Sequence, residues 1–233
     1  MEISNKQINK PTIIFGDIHG LTLWEKVVDE NPECRYIFLG DYIDPYERIA
    51  PKQLMNNLEK IIQLKKDRND DVILLLGNHD LHYFNLNIDQ STRFDNMIAE
   101  AARSLFTENL HLFMNAFQDG KRIFTHAGIS EEWFFNDFGG NAENNIADQL
   151  NNPSKEQLPA LYRCGAMRGG NLDAFGGIFW ADIYELNNPL NGYSQYVGHN
   201  RVKSIWEYNN NGGRITFCDC LFNGIWLRLE AEN

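Results

Sequence analysis

The sequence predicts a protein of the α/β class, in which strand, loop and helix units form a largely parallel sheet in the first half of the chain. Three short apolar runs, at residues 12–15, 35–39 and 71–76, are rich in Ile, Leu, Val or Phe, as buried strands are. Residues with helical spacing separate the second run from the third. The second half carries strand and turn signals instead, so further strands are expected there.

The helix between the second and third strands is predicted to begin near Pro51, because the backbone angle of proline suits the first helical position. Its apolar residues recur at positions i, i+4, i+7 and i+8, which places them on one face. They are Leu54, Leu58, Ile61 and Ile62. We expect this face to pack on the sheet.

The second half is predicted to be richer in strands. Residues 110–117 and Arg122–Thr125 are predicted to form a hairpin, because an Asp-Gly turn separates them. Residues 204–229 predict two or three more strands, with turns at residues 209–213 and 223–224. The whole chain is therefore expected to mix parallel and antiparallel pairing.

At 233 residues and 43% hydrophobic content, the chain is expected to form one domain covering residues 1–233. Residues 136–171 are polar, rich in Asn, and contain two prolines and several glycines. They carry too few apolar residues for a core of their own. We therefore expect a helical and loop excursion near the mouth of the functional site, rather than a second domain.

Composition excludes several classes of function. The net charge is −11 and the Lys and Arg residues form no basic block, so nucleic-acid binding is not expected. No apolar stretch approaches the ~20 residues that a membrane span needs, so no membrane association is expected. Four cysteines are few for this length, which favours reduced thiols and a cytoplasmic location. A small phosphorylated substrate remains compatible, because bound metal ions supply positive charge locally.

Five short segments contain four of the six histidines, each beside carboxylates, amides or glycines. They read Gly-Asp-Ile-His-Gly at residues 16–20, Gly-Asp-Tyr-Ile-Asp at 40–44, Gly-Asn-His-Asp at 77–80, Thr-His-Ala-Gly at 125–128 and Gly-His at 198–199. The first three directly follow predicted strands. Because functional residues of α/β folds gather at the carboxyl ends of strands, these segments are expected to meet at one site.

The segments supply oxygens and imidazoles, the ligands that suit two divalent ions sharing one carboxylate. Asp17 and His19 are two residues apart after a strand, where an extended backbone points both to the same side, so they can chelate one ion. Asp41 follows the next strand and can bridge two ions that lie ~3.5–4 Å apart. One amide oxygen and two imidazoles can complete the coordination of the second ion. They belong to Asn78, His126 and His199.

Each segment also has a structural alternative. A single Asp-x-His after a strand is most often a turn with a hydrogen-bonded histidine, and Gly-Asn is common in turns. Their occurrence together favours a metal site and hence a metal-dependent hydrolase. By contrast, Cys218 and Cys220 are expected to pack on one face of a strand, and His82 is expected at the edge of the core.

The order of these motifs resembles that of the calcineurin-like metallophosphoesterases. Their spacing resembles the phosphoprotein phosphatase branch and the bacterial diadenosine tetraphosphatases. The resemblance covers residues 11–229 and includes a Trp-Ala-Asp segment at residues 180–182. It implies a four-layer α/β/β/α sandwich, with two mixed sheets flanked by helices and a metal site at the carboxyl ends of strands.

The resemblance also implies a role for each motif residue. The six candidate ligands would divide between two ions that share Asp41, with Asp17 and His19 on the first ion and the other three on the second. A hydroxide bridging the ions would attack phosphorus in line. His79 would protonate the leaving oxygen, oriented by Asp44; such general acids contribute ~10²–10⁴-fold to rates. Mn²⁺ is the favoured metal, and Fe, Zn, Co or Ni also accept this ligand set.

Two departures from the family pattern concern substrate binding. The last motif reads Gly-His-Asn-Arg, so Arg201 stands where many relatives have a second histidine and the first ion loses a ligand. In the second motif, Asp44 is followed by Pro45 and Tyr46, so the arginine of the usual Asp-Arg-Gly is missing. Arg168 is the favoured replacement as phosphate ligand, ahead of three others. Those are Arg48, Arg163 and Arg201. Tyr46 is expected to stack on an organic leaving group or to pack.

The preferred function is hydrolysis of phosphomonoesters, with a phosphorylated small molecule or a phosphoserine or phosphothreonine peptide as substrate. A first alternative is a nucleotide phosphoanhydride hydrolase, such as a symmetrical dinucleoside tetraphosphatase. A second is a metal-binding scaffold without turnover, against which the intact Asp44 and His79 argue. The sequence makes no prediction of oligomeric state.

Overall fold

The computed structural model describes residues 10–84 and 92–231, which form two five-stranded sheets and several helices. The strands are β1 (Thr12–Phe15), β2 (Arg35–Phe38), β3 (Val72–Leu75), β4 (Phe113–Met114), β5 (Ala116–Asp119), β6 (Arg122–Thr125), β7 (Ser194–Val197), β8 (Trp206–Asn210), β9 (Gly213–Phe217) and β10 (Leu227–Leu229). The helices are α1 (Leu23–Glu30), α2 (Pro51–Asp67), α3 (Asn78–Phe84), α4 (Ala99–Asn109), α5 (Ile146–Asn151) and α6 (Leu158–Leu161).

The first sheet has the strand order β10-β1-β2-β3-β4. Strands β1 to β4 run parallel, and β10 pairs antiparallel with β1. Phe15 at the end of β1 pairs with Phe38 at the end of β2, and Phe38 pairs with Leu74. This register confirms the three predicted parallel strands and brings their carboxyl ends to one edge.

The second sheet has the order β5-β6-β7-β9-β8. Its three central strands, β6, β7 and β9, run parallel, and the outer strands β5 and β8 pair antiparallel with their neighbours. The sequence predicts two or three strands over residues 204–229, and three are present; they divide between the sheets, because β10 joins the first sheet. The carboxyl ends of β6 and β7 form the second edge on which the site depends.

One predicted strand is wrong. Residues 110–117 do not form a single strand: Leu110–Leu112 is a 3₁₀ turn, β4 pairs with β3 in the first sheet, and β5 pairs with β6 in the second. The chain changes sheets at Asn115, whose backbone N–H donates to Asn151 Oδ1 at 2.8 Å. The hairpin of β5 and β6 is confirmed, with Gly120 at a φ of 59° in its turn.

The two sheets pack face to face around an apolar layer. Alternate residues of the first sheet point into this layer, including Ile14, Ile37 and Leu75, and meet Phe124 of β6 and Tyr196 of β7. The rings of Phe124 and Tyr196 stack with their centroids 5.0 Å apart. Because these five residues are 4% exposed or less, the layer fixes how the two strand edges meet.

Helices cover the outer face of the first sheet. The other alternate residues of β1 and β2, Phe15 and Phe38 among them, are buried in one cluster with Trp24 of α1 and the apolar face of α2. All four apolar residues predicted for that face of α2 are buried there. The predicted helix at Pro51 is thus confirmed.

Residues 136–171 lie against the second sheet. Gln118 Oε1 on β5 accepts hydrogen bonds from the backbone N–H groups of Ile146 and Ala147, at 2.8 and 3.3 Å. Ile146 and Leu161 are fully buried in the same cluster as Ile123 of β6. This segment therefore supplies part of the fourth layer, and the predicted α/β/β/α sandwich is confirmed.

Within residues 10–84 and 92–231, no helix combines the length and the apolar character that crossing a bilayer requires.

The apolar face of α2 is expected to contribute strongly to stability. Leu58 is 0% exposed at the centre of that face, so Leu58→Ala should lower the free energy of unfolding by ~2–5 kcal/mol through lost burial and a cavity. Chemical denaturation of both proteins measures this difference. Glu59→Ala, at the next and exposed position of the same helix, is the control and should change stability by less than ~0.5 kcal/mol. Equal effects of the two substitutions would contradict this packing.

Candidate metal centre and active site

The six predicted ligands lie where strands end. Asp17, Asp41 and Asn78 follow β1, β2 and β3 in the first sheet, whereas His126 and His199 follow β6 and β7 in the second. The ligand atoms of Asp17, Asp41 and His126 all lie within 4.8 Å of one another. The structure therefore brings together residues that are far apart in sequence, at the junction of the two sheets.

Two glycines make this close approach sterically possible. A Cβ atom on Gly77 would lie 2.2 Å from Asp41 Oδ1, and one on Gly198 would lie 2.3 Å from Asp17 Oδ1. Both distances are far below van der Waals contact. Any larger residue at either position would displace a candidate ligand. This steric limit explains why both motif positions are glycine.

The backbone around the site adopts conformations that L-residues normally avoid. Among the described residues, six non-glycine residues have a left-handed φ, and five of them border this site: His19, Asp41, Asp44, Arg93 and His199, at 41°, 51°, 60°, 71° and 59°. Each such residue costs ~1–2 kcal/mol. The surrounding hydrogen bonds hold two of them, because His19 N–H donates to Asp41 O at 2.6 Å and His199 N–H donates to Asp17 Oδ1 at 2.8 Å.

The first group of candidate ligands is Asp17, His19 and Asp41. His19 Nε2 lies 3.7 Å from Asp17 Oδ2 and 3.6 Å from Asp41 Oδ2. Its other ring nitrogen, Nδ1, lies 2.9 Å from the carbonyl oxygen of Ile43 and donates to it. This bond fixes the tautomer and leaves the Nε2 lone pair facing the carboxylates, as a metal ligand requires.

The second group is arranged around Asn78. Its Oδ1 lies 2.9 Å from His126 Nε2 and 2.9 Å from His199 Nδ1. His126 Nε2 also lies 3.6 Å from Asp41 Oδ1, while its Nδ1 donates to Leu39 O at 2.8 Å. Asp41 thus presents one oxygen towards each group, which is the arrangement of a bridging carboxylate.

Electrostatics at this cluster suit cations. Burial raises the pKa of Asp17 and of Asp41 well above the ordinary value, and nearby carboxylates raise both further. Burial also lowers the pKa of His19 and His126 to about 3 and that of His199 well below its usual value. The imidazoles are therefore neutral ligands, and the crowded carboxylates lack an imidazolium partner. His199 Nε2 is buried without a hydrogen-bond partner in the structure. This donor set fits divalent metal ions.

His79 and Asp44 form a second functional unit. His79 lies in the first turn of α3, and its Nδ1 donates to Asp44 Oδ2 at 2.8 Å. His82 Nε2 lies 2.9 Å from the same oxygen, and the Tyr83 hydroxyl donates to Asp44 Oδ1. Burial alone would raise the pKa of Asp44, but these three hydrogen bonds outweigh it and hold that pKa below its ordinary value.

These contacts orient the His79 ring towards the metal ligands. Its centroid lies 5.3 Å from that of His19, with the two rings nearly perpendicular. Because Nδ1 is bonded to Asp44, Nε2 is the nitrogen through which the ring makes its other contacts, and it lies 3.0 Å from Arg93 Nη2. Burial lowers the pKa of His79, which favours the neutral form of the ring near pH 7. Asp44, His79 and His82 also have ligand atoms within 4.8 Å of one another, but these atoms already contact each other.

Arg93 is a site residue that the sequence analysis missed. Its Nη2 donates to His79 Nε2 at 3.0 Å, and its Nε donates to the carbonyl oxygen of Asp44 at 3.1 Å. Its guanidinium carbon lies 3.7 Å from the centroid of the Tyr46 ring. No motif marks Arg93, which stands in the segment between α3 and α4, so only the folded chain identifies it.

Tyr46 lies between two guanidinium groups. The Arg201 guanidinium carbon is 4.0 Å from the Tyr46 centroid and 3.8 Å from that of Phe222. Two guanidinium groups this close cannot share one face of a ring, so Arg93 and Arg201 occupy opposite faces. The predicted substrate residues Arg201 and Tyr46 thus lie beside the metal ligands; Tyr46 also meets His19 edge to face at 5.0 Å.

Arg168, the favoured phosphate ligand, approaches the site from the excursion. Its Nε lies 2.7 Å from Asp182 Oδ2, and its Nη2 donates to Asn200 Oδ1 at 2.6 Å, next to His199. Two acceptors of the protein therefore already engage its guanidinium group. Of the other candidates, Arg163 pairs with Asp137 at 2.8 Å and Arg48 is exposed.

Two further carboxylates support the site. Asp80 accepts hydrogen bonds from the backbone N–H groups of Asp41, Tyr42 and Gly77, at 2.9, 2.9 and 2.8 Å, and so ties the second motif to the third. Burial raises the pKa of Asp80 to about 7. Asp219 lines the same pocket as Asp17, although the sequence analysis treated its segment as packing. The signal for Asp80 was its place in the third motif.

Comparison with known proteins agrees with this geometry. The sequence profile of the calcineurin-like phosphoesterases matches residues 10–217, so the chain belongs to this family. Family membership supports the predicted enzyme class, a metal-dependent phosphoric ester hydrolase.

A putative serine/threonine-protein phosphatase of Caenorhabditis elegans is 35% identical over 83 residues, which is 34% of this chain but 17% of that protein. Among solved structures, a cold-active protein-tyrosine phosphatase of a psychrophilic Shewanella has a TM-score of 0.59 at 18% identity, over 95% of this chain and 75% of that one. A protein serine/threonine phosphatase of Saccharomyces cerevisiae has a TM-score of 0.54 at 12% identity, over 92% and 69%. At these identities the two structures show the shared fold.

Asp41→Asn tests the shared carboxylate. Because Asp41 faces both groups of ligands, the substitution should lower metal content and activity together, whereas a purely structural turn residue would leave both nearly intact. Elemental analysis and an activity assay on the same preparation measure the two quantities. Asp29→Asn, at the exposed end of α1, is the control. Full metal occupancy with normal turnover in Asp41→Asn would exclude the bridging role.

Proposed function

We propose that this protein is a dinuclear metal-dependent phosphomonoesterase, with a phosphorylated small molecule or a phosphopeptide as substrate. The observation that carries the proposal is a single cluster. Asp17, Asp41 and His126 have ligand atoms within 4.8 Å of one another, and they adjoin His79, whose Nδ1 is bonded to Asp44 and whose ring meets that of His19 at 5.3 Å. Metal ligands and a proton donor in contact are the combination that phosphate ester hydrolysis needs.

Two ions would be held by the six ligands in the division implied by the motifs. Asp17, His19 and Asp41 would hold the first, and Asp41 would be shared with the second. When bound, the ions would lower the pKa of a coordinated water and offset the charge of the phosphate. Mn²⁺ is the proposed metal, because oxygen-rich sites accept it readily. Fe, Zn, Co and Ni fit the same atoms.

His79 is proposed as the proton donor to the leaving oxygen. Asp44 holds its Nδ1, so the proton transferred would be the one on Nε2. In the free protein Nε2 accepts from Arg93, whose positive charge also lowers the pKa of His79. A dianionic phosphate beside Arg93 would draw that guanidinium group away from Nε2. Its negative charge would also raise the pKa of His79, which would load the ring with a proton when substrate is bound.

Arg93 and Arg201 are proposed to bind the phosphate, in place of the arginine missing from the second motif. Both lie on Tyr46, beside the metal ligands. The adjoining pocket, about 240 Å³ in volume, has an apolar wall that includes Leu21, Ile49 and Phe222. Such a wall suits the organic part of a monoester. Arg168, whose Nη2 donates to Asn200 next to His199, is proposed as a further ligand of the phosphate.

A substrate panel with Mn²⁺ tests the reaction class. We expect hydrolysis of p-nitrophenyl phosphate and of at least one phosphopeptide, with little cleavage of a dinucleoside tetraphosphate. Preferred cleavage of the dinucleoside would favour the phosphoanhydride hydrolase instead. Two bound ions without turnover of any of the three substrates would favour the scaffold. We further propose a cytoplasmic setting, which the small number of cysteines favours.

His79→Asn separates proton donation from metal binding. The variant should keep its metal content but lose ~10²–10⁴-fold in kcat on substrates with poor leaving groups, because nothing protonates the departing oxygen. The loss should be smaller for p-nitrophenyl phosphate, whose leaving oxygen needs little protonation. His111→Asn, on an exposed histidine, is the control. A loss of equal size for both kinds of substrate would argue against general-acid catalysis.

Arg93→Ala tests the proposed phosphate ligand. The substitution should lower kcat/KM by an amount equivalent to ~1.5–3 kcal/mol of activation free energy, the scale of a charge-assisted hydrogen bond. Metal content should not change. Arg93→Lys should recover only part of the lost kcat/KM, because an ammonium group cannot bind two oxygens side by side. Arg163→Ala, which removes a guanidinium group already paired with Asp137, is the matched control. If Arg93→Ala turns over like the wild type while Arg168→Ala or Arg201→Ala does not, the phosphate ligand is one of those residues.

A further inference from the structure

Asp219 carries an unexplained buried charge. It lies in the segment after β9, between Cys218 and Cys220, and is 2% exposed. Its Oδ2 has no hydrogen-bond partner. An ionised carboxylate buried without a partner is strongly unfavourable, so such an atom implies that something else binds there.

The fold places the Asp219 carboxylate next to the candidate metal ligands. Cys218 N–H donates to Val197 O at 2.7 Å, and Val202 N–H donates to Asp219 O at 2.9 Å, which fixes the segment at the end of β7. A Cβ atom on Gly16 would lie 2.7 Å from the Cα of Asp219, so the backbones touch immediately before Asp17. Asp219 therefore reaches the site through main-chain packing.

The charged neighbours of Asp219 are of both signs: the carboxylates of Asp17 and Asp41, and the guanidinium groups of Arg201 and Arg93. The Asp219 side chain contacts that of Asp17, a candidate ligand of the first ion. Arg201 attracts Asp219, but its guanidinium group stacks on Tyr46 and Phe222. No described residue donates a hydrogen bond to Asp219 Oδ2, so this oxygen is available to a metal ion.

The first metal site, in turn, is short of protein ligands. It has Asp17, His19 and Asp41, and the chain places Arg201 two residues after His199, where a further imidazole would otherwise be available. Ions such as Mn²⁺ bind five or six ligands and prefer oxygen. Asp219 lines the same pocket as Asp17 and His19.

We propose that Asp219 is the fourth protein ligand of the ion held by Asp17, His19 and Asp41. The assignment rests on the proposed dinuclear site and adds a residue to it. With Asp219, the first ion has three carboxylates and one imidazole, whereas the second has one carboxylate, one amide and two imidazoles. The two sites then differ in chemistry: the first selects Mn²⁺ through its oxygens, and the second tolerates Zn²⁺ through its nitrogens.

Asp219→Asn tests the assignment through metal binding rather than turnover. Calorimetric titration of apo protein with Mn²⁺ should show two ions in the wild type. In the variant, one ion should bind at least ~10-fold more weakly, the lower end of the loss seen when even an outer-shell partner of a metal ligand is removed. The electron paramagnetic resonance signal should change from that of a coupled Mn²⁺ pair to that of a single ion.

Thermal unfolding separates this role from a structural one. In apo protein, Asp219→Asn removes a repulsive buried charge, so the Tm should stay equal or rise, while the gain in Tm on adding Mn²⁺ should shrink. A structural role predicts the reverse: a lower apo Tm with an unchanged gain. The control is Glu185→Gln, at a buried carboxylate outside the site that accepts backbone N–H groups from Met167, Gly176 and Asp182. It should leave Mn²⁺ affinity unchanged.

The outcomes also separate the two proposals. Two ions bound with unchanged affinity in Asp219→Asn would overturn the assignment and leave the dinuclear site standing. Failure of the wild type itself to bind a pair of ions would overturn both.

Discussion

The structure depends on one constraint: several carboxylates lie close together in a buried position. Asp17 and Asp41 meet at the junction of the two sheets, with Asp80 and Asp219 close enough to raise their pKa values. Their repulsion favours separation. The group is held in place by glycines that allow close contact, by backbone hydrogen bonds to Asp80 and by neutral imidazoles. Divalent cations would offset the negative charge that the chain itself leaves uncompensated.

Because the ligands come from both sheets, the site exists only when the sheets are packed. The first sheet contributes the residues after β1, β2 and β3, and the second contributes those after β6 and β7. The apolar layer around Ile37, Leu75 and Phe124 fixes that packing. On the proposed metal binding, ion binding and the association of the sheets would be thermodynamically linked, and each bound ion would stabilise the sandwich as well as the site.

Sequence reasoning located the parallel strands of the first sheet because the first three motifs directly follow apolar runs, and the six candidate ligands because the five motifs occur together. It failed for residues 110–117, since an apolar run does not show that its two ends belong to different sheets. It also missed Arg93 and the place of Asp219. Arg93 acts through a loop that carries no motif, and Asp219, between two cysteines, has the pattern of a packed strand. Both owe their position to tertiary contacts, which local periodicity does not encode.

The left-handed backbone at His19, Asp41, Asp44 and His199 has an evolutionary consequence. Glycine would adopt these angles without strain, so a chain selected for stability alone would exchange side chains for glycine at these positions. A protein that keeps an imidazole or a carboxylate at these positions is therefore less stable than the same fold with glycine there. The same positions offer a route by which the scaffold could become more robust while losing its chemistry, one residue at a time.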